Sequence, residues 1–459
     1  MSGFFMCSFL VFAKLLEQKA LESSNRILKY RGPDYTHIVY HNDFSFIHNL
    51  LNITGHFQPQ PFLQDSIVCV YNGEIYNYND FGDFTSDGQC LIPLYKRFGT
   101  TFPQKLDGEF TLCLIDFTKQ IILLASDTFR TKPIFISTEP VFSCSTFSTP
   151  LLELGAKNVQ HFPANTIRVY DLTTLKVLEE LQTVHFDLHQ YKTNYDDWIS
   201  AFERSITKRA ALTNKQQPYV CLSSGYDSGG ICCALKSLQL PHTIFSIPTN
   251  EHTGILMARE CFSDPIEVLY ETLDKEDPLL LRTRLPVQTE DFQYSIWESK
   301  KHWNSFSLFQ DDATMGIAKI CSRAKERNLR VCLSGSGCDE IMSDYAVNGS
   351  AVFPHSCFNG IFPDNLETIF PRSSTDTDCV WKSFYKSTQE AYLMKEEYIA
   401  GSYGIETRYP YLDKQLVQEF LWLSPELKNK AYKAPLDMYL SSYEYPFEKG
   451  IKRGFSPLT

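Results

Sequence analysis

Residues 219–235 constrain the fold of this chain more than any other stretch. The apolar run Tyr219-Val220-Cys221-Leu222 ends abruptly in Ser223-Ser224-Gly225-Tyr226-Asp227-Ser228-Gly229-Gly230, and a second apolar run, 231–235, follows at once. That order predicts a buried strand, a small-residue loop and a helix folded back on the sheet. Successive backbone N–H groups in such a loop, at a helix N-terminus, form an anion site. The hydroxyls of Ser223 and Ser228 add donors, and Asp227 is placed to hold a Mg2+ between phosphates. The plainer alternative is a strand-to-helix turn rich in small residues. The lysine of the G-x-x-x-x-G-K-S/T phosphate loop is missing.

Composition narrows the class. With 459 residues the chain is long enough for two domains, each with its own core. A 43% hydrophobic and 21% charged composition is that of a globular chain. The net charge of −11 argues against a nucleic-acid surface, so a phosphate site needs its own local lysines and arginines. Of 14 cysteines, Cys69, Cys113, Cys221, Cys232, Cys233 and Cys332 lie inside apolar runs. That placement suits reduced, buried thiols of a cytosolic protein, not a disulfide framework, and no spacing matches a zinc site. The first residues lack the basic lead of a signal peptide, and Lys14 arrives before any cleavage-type site; they read as a buried strand. No apolar run reaches the length of a membrane span.

Up to about residue 188 the pattern is strand-rich, with β-type runs at 66–71, 110–116, 120–126 and 133–136 and a helical period at 15–28. After Lys192 longer helices alternate with apolar strands at 220–222, 243–247 and 330–333, which predicts a parallel sheet with helices on both faces. The expected domains are therefore 1–188 and 189–459, with 185–197 as linker. A second loop, Ser334-Gly335-Ser336-Gly337-Cys338-Asp339-Glu340, closes the 330–333 strand. It begins G-x-G but lacks the third glycine of a dinucleotide fingerprint. Both loops open on the carboxyl edge of one sheet, where such folds bind ligands. The acidic pair Asp339-Glu340 suggests magnesium; the alternative is a solvated helix start with favourable N-terminal acids.

The first loop resembles the S-G-G-x-D-S loop of the ATP pyrophosphatases, with Ser224 in place of the first glycine. Nine motifs in order resemble one family, the glutamine-dependent asparagine synthetases, over nearly the whole chain. They are Arg31-Gly32-Pro33-Asp34, Asn72-Gly73-Glu74-Ile75-Tyr76-Asn77, Leu106-Asp107-Gly108-Glu109-Phe110, Asp127-Thr128-Phe129-Arg130-Thr131-Lys132-Pro133 and Phe162-Pro163-Ala164. The two loops follow, then Gly404-Ile405-Glu406-Thr407-Arg408-Tyr409-Pro410-Tyr411-Leu412-Asp413 and Lys452-Arg453-Gly454-Phe455. The resemblance implies an α+β N-terminal sandwich (αββα, N-terminal-nucleophile type) followed by an α/β parallel-sheet ATP-pyrophosphatase domain. It implies a cytoplasmic, magnesium-dependent ligase that uses ATP, a carboxylate such as aspartate, and glutamine or ammonia, with a homodimer left open. By the same resemblance Leu222, Ile247, Ser334 and Gly335 line the nucleotide, Ser223, Gly225, Asp227 and Ser228 surround the pyrophosphate, and Asp227 and Asp339 are the metal ligands. Lys452 then neutralises phosphate charge as it develops.

The chain departs from the family in both halves. The glutaminase nucleophile is an N-terminal cysteine whose own α-amine acts as base. The matching Cys7 sits behind six residues, so it works only if Met6 is the start or processing exposes Cys7. The family's arginine for the glutamine carboxylate falls at Leu50, and the aspartate for its α-amine at Gly88 or, in a shifted register, at Asp87. Asn72 and Gly73, the family's oxyanion hole, remain. In the second loop Ser336 replaces a glutamate, and residues 309–314 lack the usual threonine and arginine. The chain stops five residues after Gly454, where family members continue. The expectation is an enzyme that amidates a carboxylate through an acyl-adenylate, with a weak or dead glutaminase. The alternatives are a related amide-forming ligase or cyclase of the β-lactam synthetase kind, and a non-catalytic scaffold.

Overall fold

The computed structural model describes residues 5–53, 56–211, 217–274, 277–299, 302–347, 350–351, 356–455 and 457. Residues 1–4, at the start of the expected N-terminal strand, lie outside this set.

The first part contains β1 (Phe5–Phe12), α1 (Gln18–Arg31), β2 (Tyr35–His41), β3 (Phe44–Asn52), β4 (Phe62–Gln64), β5 (Ile67–Ile75), α2 (Leu91–Phe98), β6 (Gly108–Asp116) and β7 (Ile121–Ser126). It continues with β8 (Phe135–Ser137), β9 (Ser143–Ser145), α3 (Ser148–Glu153), β10 (Gln160–His161), β11 (Thr166–Asp171) and β12 (Val177–Gln182). The strands form two antiparallel layers, β2-β3-β1-β9-β8-β10 and β4-β5-β6-β7-β11-β12, which meet where Phe5 pairs with Gly73. The period-2 alternation of the side chains assigns the faces. Phe9, Val11, Phe46, Val68, Val70, Cys113 and Ile115 fill one core between the layers. Their alternates Leu10 and Ile47 pack under Leu21, Ile27 and Leu28 of α1, and Cys69, Tyr71, Leu112 and Leu114 under Leu91, Leu94 and Tyr95 of α2. The result is the helix–sheet–sheet–helix sandwich expected.

The second part begins with α4 (Asp196–Ala210), β13 (Tyr219–Cys221), α5 (Tyr226–Ser237), β14 (Thr243–Ser246), α6 (Thr253–Ser263), β15 (Glu267–Tyr270) and α7 (Asp277–Gln288). A hairpin of β16 (Gln293–Ser299) and β17 (His302–Ser307) precedes α8 (Asp312–Glu326), β18 (Val331–Leu333), α9 (Cys338–Met342), β19 (Ala346–Val347) and β20 (Ser350–Ala351). Then come α10 (Thr388–Ser402), β21 (Glu406–Arg408), α11 (Lys414–Trp422), α12 (Pro425–Lys428) and α13 (Ala434–Ser442). The sheet is parallel, in the order β15-β14-β13-β18-β21. From β13 the chain winds outward through β14 and β15, then returns to the other side at β18. The switch point therefore lies between β13 and β18, and the two small-residue loops leave from their carboxyl ends.

The family motifs of the first half build the contact between the halves. Arg31 pairs with Glu397 of α10 at 2.6 Å, and Lys132 reaches the same carboxylate at 2.9 Å and the Thr407 carbonyl at 2.6 Å. Glu109 accepts from Arg209 at 2.6 Å and from the Tyr409 N–H at 2.9 Å; Arg209 also holds Asp413 at 2.9 Å. Arg408 stands between Glu406 (2.5 Å) and Glu74 (3.1 Å), while Arg130 meets Glu390 at 2.5 Å. All of these except Glu390 are buried. Burial opposes the charge on Lys132, but Glu397 and Glu109 outweigh it and hold its pKa above the ordinary lysine range. Around this seam α1 packs against α7 and α10 through Leu28, Leu285, Met394 and Ile399.

Removing one partner of such a network leaves buried charge uncompensated. Glu397→Ala is expected to cost about 3–5 kcal/mol in urea unfolding, with Glu397→Gln less harmful. A loss below about 1 kcal/mol would show that Arg31 and Lys132 find water instead.

Candidate functional site

A cavity of about 480 Å3 opens at the carboxyl ends of β13 and β18. Of the residues singled out from sequence, Ser223, Asp227, Ser228, Ser334, Gly335, Asp339 and Lys452 line it. The two loops touch: a Cβ on Gly335 would come within 2.7 Å of the Asp227 Cβ, so only glycine allows the approach. Leu222 and Ile247 do not line the cavity. The Leu222 N–H bonds to the Phe245 carbonyl at 2.8 Å, which keeps this residue in the sheet with its side chain in the core, and Ile247 is likewise 3% exposed. Gly225 also stays outside the lining, with the Arg453 carbonyl 3.3 Å from where its Cβ would be.

The first loop is held from inside and outside. The Ser223 N–H donates to the Ser228 hydroxyl at 3.0 Å and the Gly225 N–H to the Ser223 hydroxyl at 3.2 Å. Arg259, on α6, donates to the Ser223 and Gly225 carbonyls, each at 2.6 Å. The Ser224 N–H donates to Glu251 at 2.7 Å, and the Ser224 hydroxyl bonds the same carboxylate oxygen. Serine in place of glycine thus adds a hydroxyl that ties Glu251 to the loop.

Asp227 and Asp339 converge on one ammonium. Lys433, at the start of α13, pairs with Asp227 and lies 2.6 Å from Asp339; Lys452 pairs with Asp339 and lies 3.9 Å from Asp227. Tyr432 donates to Asp339 at 2.8 Å. Burial opposes ionisation of Asp339, but Lys433 and Lys452 outweigh it and hold its pKa well below the usual range. Burial likewise opposes the charge on Lys433, and Asp227 and Asp339 restore it. Two hard carboxylates around a shared cationic position, with open cavity beside them, fit Mg2+, which takes one or two carboxylates plus phosphate and water. Glu340 has a different task. It is 2% exposed and takes the Tyr345 hydroxyl and the Gly337 N–H, and burial together with Asp339 pushes it up to about 7. The acidic pair is therefore no solvated helix start, and only Asp339 serves as a ready anion. Lys452, 10% exposed at its side chain, is no solvated tail residue.

The far wall is built from residues 309–314 and α10. Asp311 caps α8 through the Ala313 N–H at 2.9 Å and pairs with Lys395, whose ammonium also lies over the Tyr294 and Tyr392 rings. Ser336 donates to Glu396 at 2.8 Å. Sequence reasoning missed Lys433, Glu251, Arg259 and Glu396. Each is one charged residue in an unremarkable local context, and only the tertiary fold brings it to the loops.

The N-terminal half has a closed pocket. Cys7 lies inside β1, opposite Leu50, and its amide N–H donates to the Asn72 side-chain oxygen at 3.1 Å. Cys7, Leu50 and Asn72 are all 0% exposed. Burial first, then the Asp87 carboxylate, push the Cys7 thiol well above its usual pKa. Asp87 already takes three donors, the Tyr71 hydroxyl (2.5 Å) and the N–H groups of Ile75 (2.9 Å) and Gly88 (2.8 Å), and is 0% exposed. A Cβ on Gly88 would strike the Tyr71 ring at 2.3 Å and the Phe62 ring at 2.7 Å. Arg31, Asp34, Glu74, Asp107 and Glu109 have structural use: they join the two halves, Asp34 through Arg330 at 2.6 Å and Asp107 through Lys208 at 2.6 Å. The Arg-Gly-Pro-Asp and Asn-Gly-Glu motifs thus no longer count as signs of glutamine chemistry.

A buried thiol of raised pKa is a poor nucleophile. Iodoacetamide at pH 7.5 is expected to label the exposed Cys261 of the folded protein and to spare Cys7, as read by peptide mass spectrometry. Equal labelling of both would mean that the pocket opens.

Residues 6–193 match the glutamine amidotransferase domain model and residues 198–362 the asparagine synthase model. A putative glutamine-hydrolyzing asparagine synthetase 1 of Methanocaldococcus jannaschii is 24% identical, over 89% of this chain and 79% of that one. The glutamine-hydrolyzing asparagine synthetase 2 of Bacillus subtilis is 25% identical over 90% and 66%, and the probable glutamine-hydrolyzing asparagine synthetase of Schizosaccharomyces pombe 24% over 89% and 73%. The chain spans 66% of the Bacillus relative's length. With both domain models matched in order and these relatives aligned along most of its length, the chain belongs to the glutamine-dependent asparagine synthetase family.

Proposed function

We propose that the chain is an ATP-dependent, AMP-forming ligase that makes an amide from a carboxylate, with aspartate as the first candidate acid and ammonia in preference to glutamine as nitrogen source. The carrying observation is the meeting of two strand-ending loops, Asp227, Asp339 and Lys452 in one cavity, with Lys433 buried against both aspartates. We take 189–459 as the synthetase domain and 1–188 as a glutaminase-like domain without an open glutamine pocket.

A carboxylate is a poor electrophile, and attack of its oxygen on the α-phosphorus of ATP turns it into an acyl-adenylate with AMP as leaving group. Asp227 and Asp339 would hold Mg2+, which supplies charge neutralisation of the phosphates. Lys452 lines the cavity and is placed to meet phosphate oxygens, while Lys433 holds the two aspartates together. Ser223 and Ser228 hydroxyls and the Ser334-Gly335 backbone face the same space. An ammonium that meets charge developing on departing pyrophosphate acts on the transition state more than on bound ATP.

One observation favours another acid. The cations lining the cavity, Lys395, Lys452 and Arg453, are paired with Asp311, Asp339 and Glu448. An α-carboxylate of aspartate has to displace one of these acids, whereas a less charged acid, as in a cyclase-type ligase, does not.

Magnesium-dependent ATP–pyrophosphate exchange over a panel of acids led by L-aspartate tests the proposal. Asp227→Ala should abolish exchange, and Lys452→Ala should lower kcat on the order of a hundredfold with little change in KM for ATP. Lys452→Arg should rescue poorly, because a planar fork replaces a point charge. Absence of exchange in the parent with every acid would leave the scaffold reading.

Glu251 fastens the first loop through the N–H and hydroxyl of Ser224. Glu251→Ala is therefore expected to weaken Mg·ATP binding several-fold, by about 1 kcal/mol in titration calorimetry. Unchanged binding would show that the loop keeps its shape without this carboxylate.

A further inference from the structure

We propose that Glu396 takes the proton from the attacking amine in the amide-forming step, held in place by the hydroxyl of Ser336. The inference rests on the adenylation reading above and assigns a residue to its second half.

Glu396 sits on α10 and lines the same cavity as Asp227, Ser334 and Lys452. Its Oε1 accepts from the Ser336 hydroxyl at 2.8 Å, while its Oε2 is buried and takes no hydrogen bond. A buried carboxylate oxygen without a partner is costly, and it is tolerated where a ligand supplies the missing donor. The neighbouring acids are already engaged. Asp339 is clamped by Lys433 and Lys452, Asp311 by Lys395, and Glu340 by Tyr345 and the Gly337 N–H. Among the described acids lining the cavity, Glu396 alone has a buried oxygen left free for an N–H.

The chemistry asks for such a group. An amine nitrogen forms its bond to the acyl carbon, the carbon–oxygen bond to AMP breaks and its electron pair leaves with AMP, and one N–H proton has to go elsewhere. A carboxylate within reach accepts it, and a general base of this kind contributes a hundredfold or more. Burial raises the Glu396 pKa, and the Ser334 and Ser336 hydroxyls oppose that shift. The other charged and titratable groups facing it are Lys395 and Glu397 on its own helix, Cys321 on α8, Cys332 on β18 and Tyr409 after β21. Ser336 stands where the family's loop has a glutamate, so the carboxylate reaches this place from α10 instead of from the loop.

The experiment uses the full chain with L-aspartate, ammonium chloride and Mg·ATP, and reads pyrophosphate exchange and asparagine formation separately. Glu396→Gln, which keeps the shape, should leave exchange within about threefold of the parent and lower asparagine formation on the order of a hundredfold. With total ammonium adjusted to keep free ammonia constant at each pH, the rise of the parent's amide-forming rate with pH should vanish in this variant. Ser336→Ala removes a donor to the charged form, so the rise should move to higher pH with a loss of about tenfold. Equal loss of both activities in Glu396→Gln would make it a structural residue, and an unchanged amide rate or pH profile would overturn the assignment alone. Absence of exchange and of asparagine in the parent would overturn the adenylation of aspartate and this assignment with it.

Discussion

The buried ion pairs between the two halves are the constraint on which the rest of the structure depends. Glu397 receives Arg31 and Lys132 from the sandwich, and it sits next to Glu396, which faces the cavity. Glu406 and Arg408 form β21, the edge of the parallel sheet next to β18, and Arg408 also reaches Glu74. The seam thus fixes α10 and the β18–β21 edge, and these place Ser334, Gly335 and the far wall of the site. Charges so desolvated gain little over an apolar contact, but a mispaired partner is costly, so they specify one way of docking the halves. Leu21, Leu28, Leu285 and Ile399 around them supply the non-directional part of the attraction.

This arrangement explains how motifs associated with glutamine chemistry persist beside a pocket that has closed. Glu74, Glu109 and Arg31 serve docking, a use that does not depend on glutamine hydrolysis. Leu50 and Gly88 are where the chain departs from the family, and there Leu50 lies against Cys7 and the rings of Tyr71 and Phe62 fill the space. The glutamine carboxylate meets Leu50 where the family has an arginine, and Asp87 is buried and already takes three hydrogen bonds.

The sequence made legible the parts where local chemistry dictates residue type. Tight strand-to-helix turns need small residues, so 223–230 and 334–337 stood out, and the outward winding from β13 to β15 placed both loops at one sheet edge. Alternating runs gave the strands of the sandwich, though the helix expected at 15–28 begins at Gln18 and reaches Arg31, and the strand expected at 133–136 is Phe135–Ser137. The hairpin β16–β17 went unread, because Gln293, Ser295, Asn304 and Ser305 interrupt its apolar residues with no Gly-containing turn between the strands. Leu222 and Ile247, which the family resemblance places beside the nucleotide, have side chains packed in the core clusters and can offer a ligand in the cavity only their backbone.

Charged residues of the site were legible only inside a motif. Lys452 had Gly454-Phe455 beside it, while Lys433 follows Lys428 and Lys430 in a stretch that reads as an ordinary polar surface. What separates them is burial: Lys433 is 1% exposed at its side chain, a state a lysine keeps only with acids close by. Burial of a single charge depends on the whole fold and leaves no periodic trace. The same holds for Glu396: of three consecutive charges on its helix Lys395 and Glu396 line the cavity and Glu397 does not, with no sequence cue to tell them apart. In the structure the division is physical. Lys395 turns to Asp311, Glu397 to Arg31 and Lys132, and the middle residue keeps one oxygen unbonded beside Ser336. One turn of α10 thereby carries residues of the cavity wall and of the domain seam at once.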